Sequence, residues 1–180
     1  MRGRWCLQPA GARPFGSPWL VLRGKEAQAV LWNGPVLEVA QGPPSAIRGL
    51  GPDVMSDPPD VDGMLVRFRG ADQRRELGEA LLDQRLLAGI GNMWKAEALF
   101  AASLSPWARL ADVSDRDLCD LLRRTSELMR AGRRRRAVYR RAGLPCRVCT
   151  THIDSHPQGE RGRTAYWCPA CQAGTGPTGS

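Results

Sequence analysis

The chain has 180 residues, 42% of them hydrophobic, which is enough for one ordinary domain or two small ones and too many for a disordered basic tail. Its longest apolar run is a few residues, far short of the ~20 that a membrane span needs, and the opening MRGRWCLQPAG lacks the apolar block of a signal peptide. The net charge of +8 is uneven: residues 1–130 carry 17 basic and 16 acidic side chains, residues 131–180 carry 9 and 2, so the last quarter suits a surface that faces phosphates.

In chain order, the first forty residues read as strands. LVLRG (20–24) and AVLWN (29–33) are apolar stretches joined by a Gly-Lys-Glu turn, and VLEVA (36–40) follows Gly34-Pro35. The Pro/Gly/Asp-rich stretch 41–63 reads as a linker. From about Asp72 the spacing predicts a helix with Leu77, Leu81, Leu82 and Leu86 on one face. GIGN (89–92) breaks it, and a second helix follows with Met93, Ala96, Leu99 and Phe100 as its apolar side. Ser114 followed by Asp117 predicts a capping box that opens a third helix through about Arg130. GRRRR (132–136) is a polar joint before the cysteine segment and a flexible tail.

Two constellations carry chemistry. Cys146, Cys149, Cys168 and Cys171 form two Cys-x2-Cys pairs, each turn offering two thiolates to one ion, and the spacing predicts a zinc ribbon. Four protein ligands leave no open coordination position, so one zinc per chain is expected, structural and not water-activating. His152 and His156 lie between the pairs and either could replace a cysteine, although such loop histidines are more often solvated. Cys6 and Cys119 have no spacing partner and read as free thiols. The second constellation is LLDQRLLAGIGNMWKAEALF (81–100). A Gly-rich break that opens a helix leaves backbone N–H groups for an anion, with Asn92 and Lys95 adding an amide and a charge; the alternative is a tight corner between helices.

LLDQ, GIGN, Lys95, the Glu97-Ala98-Leu99-Phe100 run and Pro106 together resemble the helix–two-turns–helix element of the formamidopyrimidine-DNA glycosylase and endonuclease VIII family. VYRRAGLPCRVC and GRTAYWCPACQ resemble its C-terminal zinc finger, LGPDV (50–54) its interdomain linker, and residues 1–40, more loosely, the closing strands of its N-terminal β-sandwich. The resemblance implies an α+β fold: a partial β-sandwich remnant over 1–45, linker and helix–two-turns–helix domain over 46–136, a zinc-finger β-hairpin over 137–172 and a tail over 173–180. It also implies a monomeric protein of the bacterial cytoplasm, associated with the nucleoid, whose partner is double-stranded damaged DNA and whose pathway is base excision repair.

Site roles follow from the same resemblance. Asn92 and the backbone of the Gly89–Gly91 turn would hold a phosphate flanking the lesion, with Lys95 beside it. Arg163 matches the finger-tip arginine that grips the extruded nucleotide's phosphates, and Tyr139 a further phosphate contact. Glu97 would support the helix pair, and Tyr166 and Trp167 the finger core. The chain departs from the pattern at Arg140, where the family usually has glycine, and at Thr150 of Cys-Thr-Thr, where it has Cys-Gly-Thr. The family's catalytic N-terminal proline, its glutamate and an early hairpin lysine have no match here, and Met1 resembles an internal position of a longer frame. No catalytic residue is therefore assigned, and the expectation is a binder of damaged DNA that is inactive alone. A zinc-ribbon module for RNA or a protein partner is the alternative.

Overall fold

The computed structural model describes residues 3–34, 38, 41–42, 44–132, 135–174 and 176–177. The chain divides into two compact units, residues 1–48 and residues 49–180, so the helices from residue 61 onward and the cysteine segment belong to one unit.

The first unit is built on three antiparallel strands, β1 (Arg4–Pro9), β2 (Leu20–Arg23) and β3 (Ala27–Trp32), in the order β1-β3-β2. The central β3 pairs Val30 with both Cys6 and Val21 and is the best buried, with Val30 and Leu31 in the interior. The 20–24 and 29–33 stretches supply β2 and β3. Arg4–Pro9, within the forty residues read as strands but not singled out there, supplies β1. A short helix, α1 (Ser45–Arg48), ends this unit. The strand expected at 36–40 lies outside the described residues apart from Glu38.

The second unit contains α2 (Val61–Gly70), α3 (Leu77–Ala80), α4 (Asn92–Ala101), α5 (Asp115–Arg130) and the hairpin β4 (Asp154–Gln158) and β5 (Arg163–Trp167). The helices share one core, in which Met64, Phe68, Leu77, Leu81, Leu99, Leu118 and Leu122 are wholly buried. Two of these helices differ from the sequence reading, as does α1, which lies within the stretch read as a linker. α2 begins inside the stretch read as a linker: the Asp60 carboxylate accepts the Gly63 N–H at 2.9 Å and caps it. The helix expected from 72 to 88 is one turn long. Asp83 stops it, because its carboxylate accepts the Arg85 N–H at 3.1 Å and folds the chain into a local turn. α5 starts as the capping box predicts, the Ser114 hydroxyl accepting the Asp117 N–H at 3.1 Å. Among the described residues no helix is long and apolar enough to cross a membrane.

Candidate nucleic-acid interface and metal centre

The Gly-rich corner is set by Gln84. Its amide donates to the Ile90 carbonyl at 3.0 Å and its Oε1 accepts the Gly89 N–H at 3.0 Å. Gly89 has φ +98°, a backbone region that only glycine enters cheaply. The Gly89 N–H is thus already committed, and the glycine acts by conformation. The N–H groups left for a ligand lie one step on: Gly91 is the N-cap of α4, no side chain caps the helix, and Asn92, Met93 and Trp94 form its first turn.

α4 fastens the cysteine segment to the helices. The Asn92 amide donates to the Thr164 carbonyl on β5 at 2.9 Å, which leaves its second N–H for another acceptor, while its Oδ1 is buried without a partner. Lys95 differs from its expected surface position. It is 1% exposed, and its ammonium donates to Gln158 Oε1 at 3.2 Å. Burial lowers the lysine to about 8, with Glu76 opposing that shift and the positive Arg163 adding to it. Gln158 in turn donates to Glu76 Oε2 at 3.0 Å and the Pro106 carbonyl at 2.8 Å, and it packs where any side chain on Gly78 would collide. Glu97, 2% exposed, accepts the N–H groups of Ala137, Val138 and Tyr139 at 2.8, 3.0 and 2.9 Å. Its partner is the approach to the cysteines and not only a neighbouring helix. Trp107 meets Trp167 edge to face at 5.2 Å, and Gln172 donates to the Leu104 carbonyl at 2.8 Å.

A cleft of about 730 Å³ lies where the corner meets the hairpin tip, lined by Gly91, Asn92, Lys95, Gln158, Arg161 and Arg163, with Arg75, Asp83 and Arg85 on its wall. Asp83 is neutralised by Arg75 at 3.0 Å and Arg85 at 2.8 Å, whose hydrogen bonds hold its carboxyl far below the usual range. Arg161 and Arg163 are exposed and, among the described residues, have no carboxylate partner. Glu79, 3.8 Å from Arg75, and the exposed Glu160 also line the cleft, and against its three acids stand Arg75, Arg85, Lys95, Arg161 and Arg163, so the lining is net positive. Gly91, Asn92, Lys95 and Arg163 converge there. Tyr139 lies apart, half-buried against Tyr166 with ring centroids 5.3 Å apart. Sequence reasoning named neither Gln158 nor Arg161, which lie between the two cysteine pairs.

The four ribbon cysteines converge. Their sulfurs all lie within 4.8 Å of one another, with Cys146–Cys171 at 3.9 Å and Cys149 at 3.4 Å from both Cys168 and Cys171. A zinc ion bonded at ~2.3 Å to four thiolates sets their sulfurs ~3.8 Å apart, so this donor set fits tetrahedral zinc. Neither histidine joins the cluster: His152 bridges Pro145, and His156 lies against Trp107. Cys6 and Cys119 are free thiols.

Residues 50–139 match the family model described as the formamidopyrimidine-DNA glycosylase H2TH domain. A "DNA-(apurinic or apyrimidinic site) lyase Nei2" of Mycolicibacterium smegmatis is 34% identical over 96% of this chain and 72% of its own length. An "Endonuclease 8 2" of Mycobacterium bovis is 41% identical over 71% of this chain and 54% of its own. Among solved structures, the Lactococcus lactis formamidopyrimidine-DNA glycosylase bound to DNA with an AP site covers 97% of this chain with 72% of its own length aligned, at a TM-score of 0.75 and 18% identity.

Proposed function

Because the chain belongs to the formamidopyrimidine-DNA glycosylase and endonuclease VIII family, we propose that it grips duplex DNA at a damaged nucleotide in base excision repair, with the cleft between the α4 corner and the hairpin tip as the grip. The observation that carries this reading is the convergence of an uncapped ten-residue helix, the Asn92 amide and the exposed Arg163 on one positive cleft, held together by the bond from Asn92 to Thr164. The N–H groups at the start of α4 and the second N–H of Asn92 would receive one backbone phosphate. Arg163 would receive the phosphates of an extruded nucleotide through its planar fork of donors. Lys95 contributes its charge from beneath the cleft, and Tyr139 is a further phosphate contact. All of these read backbone and not base edges, so damage is favoured because a damaged or missing base leaves the stack at lower cost.

One zinc on Cys146, Cys149, Cys168 and Cys171 supplies structure only: it closes the base of the hairpin that presents Arg161 and Arg163. Strand cleavage through a Schiff base needs an exposed, unprotonated amine. In residues 49–180 the one lysine is Lys95, which is buried on Gln158. The second unit is therefore read as binding without cleaving.

Fluorescence anisotropy with labelled duplex carrying an abasic-site analogue, intact duplex and RNA of the same sequence tests the reading. The expected order is abasic duplex over intact duplex over RNA. Equal or tighter binding to RNA would replace it with the zinc-ribbon RNA module. Borohydride trapping on abasic DNA should give no adduct with residues 49–180; an adduct lost in Lys95→Ala would overturn the non-cleaving part.

A further inference from the structure

A second hollow, about 370 Å³, is lined by Phe100 at the end of α4, by Arg135, Arg136 and Ala137 of the joint after α5, and by Arg147 and Val148 of the first cysteine turn. Beside it the Tyr139 ring carries a guanidinium on each of two contacts, Arg136 at 5.1 Å and Arg140 at 5.5 Å from its centroid. Most ion pairs elsewhere in the unit join an arginine to a nearby carboxylate, as at Arg69, Arg75 and Arg123. Among the described residues none of Arg135, Arg136, Arg140 and Arg147 has one. Four exposed cations thus gather without an acid to neutralise them, which costs repulsion unless an anion is supplied.

Arg140 adds a second, independent observation. Its φ is +56°, in the left-handed region where a side chain is strained and glycine is the default. The chain keeps arginine there, and the guanidinium it gains lies over Tyr139. The platform beneath is rigid: Glu97 holds the N–H groups of residues 137–139, and Arg141 donates to the carbonyls of Ala137 and Pro145. The Arg136 and Arg140 guanidiniums held over Tyr139 are preorganised for phosphate oxygens, which their planar donors match in pairs.

We propose that Arg135, Arg136, Arg140 and Arg147 form a second backbone-phosphate site for the same DNA duplex, beyond the one in the cleft. This inference rests on the duplex-binding reading above. Asn92 in the cleft and Phe100 in the hollow are eight residues apart on one helix. That is ~12 Å along the axis, too far for one phosphate to serve both. The second site therefore takes a different phosphate from the one in the cleft and adds affinity that does not depend on damage.

The test is a salt series of anisotropy titrations on abasic-analogue duplexes of two lengths, one ending close to the lesion and one extending a full turn further on each side. Wild type should bind the longer duplex several-fold more tightly. Arg135→Ala/Arg147→Ala should lose that gain and show a salt slope shallower by roughly 2 units on the long duplex, at ~0.9 per phosphate contact. Arg163→Ala should weaken both lengths alike. Arg140→Gly relieves backbone strain, so it should melt no lower than wild type while binding the long duplex several-fold more weakly, a combination that a merely structural arginine would not give. Variants that match wild type on the long duplex, with Arg163→Ala still weakened, would overturn the second site and leave the cleft standing. Failure of wild type to bind either duplex would overturn both.

Discussion

Replacing Glu97 by glutamine tests how the metal hairpin is held on the helices. The carboxylate is buried and accepts three backbone N–H groups, two on Oε1 and one on Oε2. Hydrogen bonds to a charged group contribute ~1.5–3 kcal/mol each, about twice a neutral one. Glutamine can keep its carbonyl on Val138 and Tyr139, but it turns an NH₂ toward the Ala137 N–H, donor against donor. One charge-assisted bond is lost outright and two are reduced to neutral strength, which sums to ~3 kcal/mol at the lower end of those values. With a urea slope of ~2 kcal/mol/M the midpoint should fall by ~1.5 M, read by tryptophan fluorescence at saturating zinc. The change should also speed proteolysis between Arg130 and Cys146. A shift below ~0.5 kcal/mol with unchanged proteolysis would refute the idea that this carboxylate is the clasp, since no surface-like substitution costs more.

Cys146→Ser should lose the metal, measured as zinc per chain after refolding with zinc, and with it hairpin order and DNA affinity, because a structural zinc contributes ~10 kcal/mol or more of apparent folding free energy; Cys6→Ser should change neither. Arg163→Ala should weaken binding to damaged duplexes of different sequence by the same factor and lower the salt slope by about 1 unit. Asn92→Ala should do the same and in addition release Thr164, which a rise in proteolysis at the hairpin tip would register. Lys95 titrates at about 8 in the folded chain against an ordinary 10.5, so between those values the unfolded chain holds a proton that the folded one does not. Stability should therefore climb as pH rises from about 8 to 10.5, by up to ~3 kcal/mol, and Lys95→Met should flatten the climb; an unchanged pH profile in that variant would assign the effect elsewhere.

Local chemistry was the readable part of the sequence. The cysteine pairs, the Ser114 cap and the helix start after Gly91 each depend on residues within a few positions of one another, and each stands in the structure as its spacing predicts. α2 was hidden because Gly63 and the Pro/Asp run before it read as breakers, whereas the glycine is what lets Asp60 fold back as its cap. The long helix expected after Asp72 failed because leucine spacing is blind to an aspartate that prefers its own turn. Lys95 shows the limit on the site side. A lysine one turn into a helix reads as a solvated charge, and only the arrival of Gln158 from 63 residues away buries it. Arg140 and Thr150, at φ +56° and +66°, explain why glycine belongs to the family pattern at those positions. A motif match records the residue, and the backbone angle supplies the reason.

The central claim is that the corner and the hairpin tip hold DNA together. Titrating ¹⁵N-labelled chain with a duplex carrying an abasic-site analogue tests it most directly. The largest shifts should fall on the backbone amides of Asn92, Met93 and Trp94 and on the side-chain Nε–H of Arg163, with the Gly89 amide, already bonded to Gln84, moving less. Saturable binding that leaves those four signals in place and moves others would contradict the account.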